Sequence, residues 1–336
     1  MNMSKQWHSS LVAVTVIVLG LLGMASATRA EPLGNPVSGS AAPARPFARL
    51  VVFGDSLSDP GNHFIAFGTS AHRPFFPIPD DSYAIGGHHF SNGATWIEQL
   101  ASDLHLSTSG QPALRAPGLF TNYAVGRARA RSGVSVFPFY DLATQVSLFL
   151  ADFGGHASAD TLYVIWIGAN DLGDALGALE TDPSGTTSAG ILEQAVLAVA
   201  GNIQGLWLSG ARTFLIPSLP NLAITPFVRA LGPDAQLAAT FLAAAYQAAL
   251  DQALTALEGL PEIQFVRLDV NAVFDGLMAA PAAAGLTNVD DACLTFGVTE
   301  HAVCATQNRY LFWDGIHPTR VGHGFLAEAA AAALAP

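Results

Sequence analysis

Hydrophobic positions along the chain fall into two kinds of run. Short, continuous stretches rich in β-branched and aromatic residues recur at Arg49 to Phe53 (RLVVF), Thr161 to Ile167 (TLYVIWI), Arg212 to Ile216 (RTFLI) and Ile263 to Leu268 (IQFVRL). Runs of this length without polar alternation predict strands buried on both faces. Tyr123 to Val125 adds a shorter one. Between them, apolar residues recur at helical spacing over Ala94 to Leu104, Leu142 to Phe153, Ile191 to Leu208 and Ala235 to Leu257. Arg320 to Leu334 closes the chain as a helix with Thr319 as its N-cap. This alternation predicts an α/β domain whose parallel sheet is covered on both faces. In such sheets ligands bind beyond the carboxyl ends of the strands, so chemistry is sought just after each strand. No internal repeat and no second apolar span is expected.

The first thirty residues carry a different pattern. Lys5 and His8 lie in a polar start, Leu11 to Gly23 is almost wholly apolar, and Ala25-Ser26-Ala27 supplies a small-x-small site, with Thr28-Arg29-Ala30 as a second one. This is the arrangement of a signal peptide spanning residues 1–30, cleaved after Ala27 or Ala30. An uncleaved anchor is the alternative, although the apolar run is short for a span of about 20 residues. Residues 31–46, rich in Pro, Gly, Ser and Ala, read as a flexible lead-in, and residues 47–336 as a single domain. The expected location is secreted or periplasmic.

Composition narrows the chemistry. The chain has 336 residues, 51% hydrophobic and 12% charged, with net charge −12. Removal of residues 1–30 takes away Lys5 and Arg29 and no acid, which leaves −14. An acidic chain lacks the basic face that nucleic acids require, so no nucleic-acid partner is expected. Lys5 is the only lysine, so the mature chain cannot form a lysine Schiff base or supply a P-loop lysine. Cys293 and Cys304, 11 positions apart in an exported chain, invite a disulfide worth about 2–3 kcal/mol in the chain-entropy model. Two separate buried thiols are the alternative. No H-E-x-x-H or C-x-x-C spacing points to a metal, and no cofactor is expected.

The residues after the strands supply a hydroxyl, an amide and a carboxylate–imidazole pair. Gly54-Asp55-Ser56-Leu57-Ser58-Asp59 follows the first strand, and Gly168-Ala169-Asn170-Asp171 the most hydrophobic one. Asp314-Gly315-Ile316-His317-Pro318-Thr319 lies near the C-terminus. A serine nucleophile needs a base, the base needs an orienting partner, and Asn170 can donate to a developing oxyanion. Each piece alone is ordinary turn chemistry. Their joint occurrence at predicted strand ends is what points to catalysis.

Phe53 to Asp59 resembles the first block of the GDSL, or SGNH, hydrolase family. Asn122-Tyr123-Ala124-Val125-Gly126 resembles its second block, Gly168 to Asp171 its third, and Asp314 to Thr319 its last. Gly61-Asn62, Phe90-Ser91-Asn92-Gly93 with Trp96, Gly210-Ala211-Arg212 and Leu219-Pro220 fit its secreted lipase-like branch. The resemblance implies a three-layer α/β/α sandwich, flavodoxin-like, with a five-stranded parallel sheet. It implies Ser56 as nucleophile, His317 as base and then acid, and Asp314 as orienter. The implied oxyanion hole is made by the Ser56 N–H, a second-block glycine N–H (Gly126) and the Asn170 amide. The family's second block usually reads Gly-Gly, whereas here it reads Gly126-Arg127, which leaves open which of the two amides serves.

The resulting expectation is a secreted carboxylic ester hydrolase of lipase, esterase or lysophospholipase type, acting on ester or lipid substrates through an acyl-enzyme, with peripheral contact to lipid surfaces. Phospholipid acyl transfer, carbohydrate O-acetyl ester hydrolysis and non-catalytic lipid or glycan binding stay open beside it. Arg127, Arg129 and Arg131 read either as a solvated basic edge or as a contact for an anionic group. Phe75, Phe76, Pro77, Phe137, Pro138, Phe139 and Tyr140 read either as an acyl pocket or as plain packing.

Overall fold

A computed structural model describes residues 47–68, 87–133, 140–298 and 300–335. The signal peptide and lead-in therefore lie outside the described residues, as do Phe75, Phe76, Pro77, Phe137, Pro138 and Phe139. The four expected strands form as β1 (Arg49–Gly54), β2 (Thr161–Trp166), β3 (Thr213–Pro217) and β4 (Gln264–Leu268). They pair in parallel in the order β1-β2-β3-β4.

Strand periodicity distributes helices to both faces. Tyr163 packs edge-on against Phe149 of α3 (Leu142–Asp152), while Trp166, of opposite parity, packs edge-on against Trp96 of α2 (Trp96–Asp103). Successive strand side chains point to opposite faces, so α2 and α3 cover opposite sides of the sheet. α9 (Arg320–Ala333) packs beside α2, whereas α4 (Ala169–Ala178), α5 (Thr186–Leu208) and α7 (Pro233–Leu257) pack against one another on the α3 side. The result is the expected three-layer α/β/α arrangement. Tyr163, Phe214 and Phe265 occupy one cross-strand row at ring separations of 5.7 and 5.8 Å, which locks the register of β2, β3 and β4. α5 is long and apolar enough to cross a membrane, contrary to expectation, yet its Leu192, Val196, Val199 and Ile203 stripe is buried in the core.

The sheet itself departs from expectation at its fifth strand. Thr121 to Val125 runs along the free edge of β1, with Tyr123 N–H donating to Val52 O at 2.8 Å and Val125 N–H to Gly54 O at 3.2 Å. It forms isolated bridges but no regular strand. Asn122 accounts for this, because its side chain bonds Ser58 O and the Ala124 N–H and so turns the segment into a loop. A separate two-stranded sheet, β5 (Asn288–Ala292) with β6 (Tyr310–Phe312), leads into the C-terminal motif. Four short or glycine-containing helices were not expected from the sequence: α1 (Asn62–Phe67), α4, α6 (Pro226–Leu231) and α8 (Val270–Ala279).

Candidate active site

The site forms where β1 and β2 end. Gly54 and Trp166 are in register, so Ser56 and Gly168 each emerge two residues beyond the same pair. Gly168 sits at φ 124°, where a Cβ would also lie 2.7 Å from the Tyr246 hydroxyl oxygen; this turn starts α4 and presents Asn170 in its first turn.

His317 arrives from the other end of the sequence on a tight turn. Trp313 N–H bonds His317 O at 2.8 Å, and Asp314 Oδ1 accepts the Ile316 and His317 N–H groups at 2.8 Å each. Asp314 Oδ2 lies 2.8 Å from His317 Nδ1, and His317 Nε2 lies 2.7 Å from Ser56 Oγ. All three residues are buried. Burial alone would raise the Asp314 carboxyl, but the His317 ring and the two N–H donors outweigh it and hold the carboxyl below its ordinary range. The structure therefore brings Ser56, His317 and Asp314 into one hydrogen-bonded line.

The residues singled out around position 91 support this turn. The Phe90 ring lies 5.2 Å from that of His317, Ser91 Oγ donates to Pro318 O at 2.9 Å, and Asn92 Oδ1 accepts the Arg320 N–H at 2.7 Å. Thr319 caps α9 as expected, accepting the Gly322 N–H. Trp96 Nε1 donates to Ser58 Oγ at 3.0 Å. Cys293 and Cys304 are joined in a disulfide. Its loop is tied to the segment leading into the Asp314–His317 turn, because Cys293 N–H donates to Phe312 O at 3.1 Å and Leu294 N–H to Trp313 O at 2.6 Å.

The amides expected around an oxyanion differ in how they are engaged. The Gly126 N–H is committed to Asp59 Oδ2 at 2.7 Å. The next amide, Arg127, stands at φ 69°. Neither it nor the Ser56 N–H has a hydrogen-bond acceptor among the described residues. A Cβ on Gly126 would fall 2.1 Å from the Phe90 ring, so no other residue fits there. Asn170 donates to Ala128 O at 2.9 Å through an amide that has a second hydrogen to offer.

Asp59 and Asp55 stand in the first motif, yet the sequence assigns neither a role. Asp59 is fully buried and also accepts Gly61 and Asn62 N–H at Oδ1, at 2.8 and 2.6 Å, and His63 N–H at Oδ2, at 3.1 Å. Burial pushes its carboxyl up to about 6, against the pull of those donors. Asp55, beside Ser56, is pushed up to about 7 by burial, and its Oδ2 has no hydrogen-bond partner among the described residues. Asx-turn spacing in Asp59-Pro60-Gly61-Asn62 was the available local signal for the first of these. Arg129 forms a bidentate pair with Asp174 at 2.7 Å, and Arg131 pairs with Asp171 at 2.7 Å and with Asp174 at 2.5 Å. These two arginines thus serve internal carboxylates of α4, neither a solvated edge nor an external anion; only Arg127 is exposed.

Comparison with known proteins gives the family. The family described as GDSL-like Lipase/Acylhydrolase matches residues 50–330. A GDSL esterase/lipase of Arabidopsis thaliana is 26% identical, over 84% of this chain and 80% of that one. A phosphatidylcholine-sterol acyltransferase of Aeromonas hydrophila is 26% identical, over 87% of this chain and 91% of that one. An acetylesterase of Thermothelomyces thermophilus is 29% identical, over 57% of this chain and 62% of that one. With the motifs in order and the match running through nearly the whole described chain, the protein belongs to the GDSL-like lipase/acylhydrolase family and is a serine ester hydrolase.

Proposed function

We propose that Ser56 is the nucleophile, His317 the base and Asp314 the residue that orients His317. The observation supporting this is the unbroken Asp314–His317–Ser56 hydrogen-bonded line beside unengaged amides at the strand ends. With its Nδ1 proton held by Asp314, His317 presents the lone pair of Nε2 to the Ser56 hydroxyl. Ser56 Oγ attacks the ester carbonyl, His317 takes the proton and returns it to the leaving alcohol, and water repeats the cycle on the acyl-enzyme. The oxyanion is received by the Ser56 N–H, the Arg127 N–H and the free hydrogen of the Asn170 amide. Arg127 takes this role in place of Gly126, because Asp59 holds the Gly126 N–H while the next amide along the loop, that of Arg127, has no acceptor among the described residues.

The substrates are carboxylic esters, lipid esters among them, met by a secreted or periplasmic enzyme at a lipid surface. Transfer of the acyl group to an alcohol other than water is a second reading, favoured by the similarity to the Aeromonas acyltransferase. The test is Ser56→Ala together with a fluorophosphonate probe. The variant should remain folded and lose ester hydrolysis, and the probe should label wild type at Ser56 alone. Activity persisting in the folded variant would refute the assignment. A panel of nitrophenyl esters, phospholipids and acetylated glycans, with and without a sterol acceptor, then ranks the substrates.

A further inference from the structure

Asp59 has no place in the proton transfers, yet its carboxylate joins two segments that the chemistry must keep in register. One is the nucleophile loop, since Asp59 lies three residues after Ser56 and gathers the Gly61, Asn62 and His63 N–H groups. The other is the loop that carries Arg127, reached through the Gly126 N–H. Neighbouring bonds fasten the same pair of segments. Asn62 Nδ2 donates to Asn122 O at 2.7 Å and to Ala124 O at 2.9 Å, and His63 Nδ1 lies 3.2 Å from Gly126 O. Gly126 is therefore gripped at both its N–H and its C=O. The peptide plane that follows it, which ends in the Arg127 N–H, has its direction fixed by those two grips.

We propose, on the basis of the hydrolase reading above, that Asp59 is a positioning residue: by holding the Gly126 N–H it turns the Arg127 amide toward the oxyanion of the Ser56 adduct. Two consequences follow from the geometry. Gly126 cannot itself serve as an oxyanion donor while Asp59 accepts its hydrogen. The non-glycine residue at 127 is tolerated at φ 69° because the grip on Gly126, and not the freedom of residue 127, sets the turn. A donor displaced by a fraction of an ångström loses its advantage in the transition state while ground-state binding is largely untouched, so the role appears in kcat and not in KM.

The experiment uses two variants. Asp59→Asn keeps one acceptor for the α1 turn and places an NH2 against the Gly126 N–H. Asp59→Ser keeps a short acceptor for Gly61 and Asn62 but cannot reach Gly126. Both should melt cooperatively and show kcat lowered by about 10²-fold with KM within about threefold, near the loss for one oxyanion donor. Affinity for a trifluoromethyl ketone, whose serine adduct carries the oxyanion, should fall in parallel with kcat/KM. A folded variant with kcat within threefold of wild type, or a loss confined to KM or thermal stability, overturns the role. The wild-type ketone adduct decides independently of whether the variants fold. Its crystal structure should show the oxyanion on Arg127 N with Gly126 N still on Asp59, and an oxyanion bonded to Gly126 N overturns the proposal. A wild type that neither reacts with fluorophosphonate at Ser56 nor hydrolyses esters removes the hydrolase reading and the positioning role together. An active wild type with unimpaired variants removes the positioning role alone.

Discussion

Asp171→Ala is the sharpest test of how the loop before α3 is held. Asp171 is fully buried at the start of α4 and accepts the Ala130 N–H at 2.8 Å as well as Arg131 Nε at 2.7 Å. Removing it leaves a guanidinium that is 8% exposed without its inner partner, and a backbone N–H without an acceptor. Deleting one member of a buried pair costs about 3–5 kcal/mol. Arg131 retains Asp174, which is 27% exposed, so the lower end of about 3 kcal/mol applies. For a chain of this size that corresponds to a fall in Tm of roughly 6 °C. Differential scanning calorimetry and urea unfolding both read it. Asp290→Ala, which breaks the exposed Arg229–Asp290 pair, is the control and should cost less than about 1 kcal/mol. The double change Asp171→Leu with Arg131→Met should recover much of the loss, because the uncompensated charge leaves with its partner. If Asp171→Ala and Asp290→Ala proved equally mild, the view of α4 as an anchor for this loop would be wrong.

Three further outcomes are expected. Asn170→Ala should lower kcat by about 10²–10³-fold with little change in KM, measured on a soluble nitrophenyl ester; a rise in KM alone would make Asn170 a substrate-binding residue. Reduction of Cys293–Cys304 should lower activity at temperatures where far-UV circular dichroism still reports native helix, since the loop is hydrogen-bonded to Phe312 and Trp313 next to Asp314; simultaneous loss of both signals would contradict this. His323 is buried without a hydrogen-bond partner among the described residues and is pushed down to about 3 by burial, with the His317 and His89 rings adding to the effect. Its folded value lies below its unfolded one, so stability is fully present above about pH 6.5 and declines as pH falls toward 3, at a limiting slope of about 1.4 kcal/mol per unit. His323→Leu should remove that contribution, and parallel pH–stability curves for the two proteins would refute it.

Much of this architecture is legible without coordinates, for identifiable reasons. β1 to β3 announce themselves because strands buried on both faces are continuous apolar runs; β4 forms where expected but is an edge strand with Gln264 and Arg267 exposed, not one buried on both faces; α2, α3, α5, α7 and α9 are legible because each keeps one apolar stripe. The candidate residues Ser56, Asp314 and His317 are legible because two motifs place their chemistry at a strand end and on one turn. α4 is not, since Asn170-Asp171 resembles turn chemistry and Gly173 and Gly177 dilute its helical signal. The fate of Gly126 was equally hidden. Its N–H meets a carboxylate 67 positions away, and no local pattern records which of two consecutive amides a distant side chain has claimed. The same holds for Arg129 and Arg131, whose partners on α4 lie 45 and 40 positions along the chain.

The hydroxyl of Ser56 and the imidazole of His317 meet across 261 positions of sequence. A growing polypeptide must therefore extend through His317 before the proposed reactive centre can exist. Strands, helices and even the proposed nucleophile can all be in place while the enzyme remains chemically silent. Ester cleavage thus reports a property that spectroscopy averages over, namely that a single molecule has folded from its first strand to its last turn. In a screen of truncations or random substitutions, turnover would count complete molecules and ignore well-structured fragments.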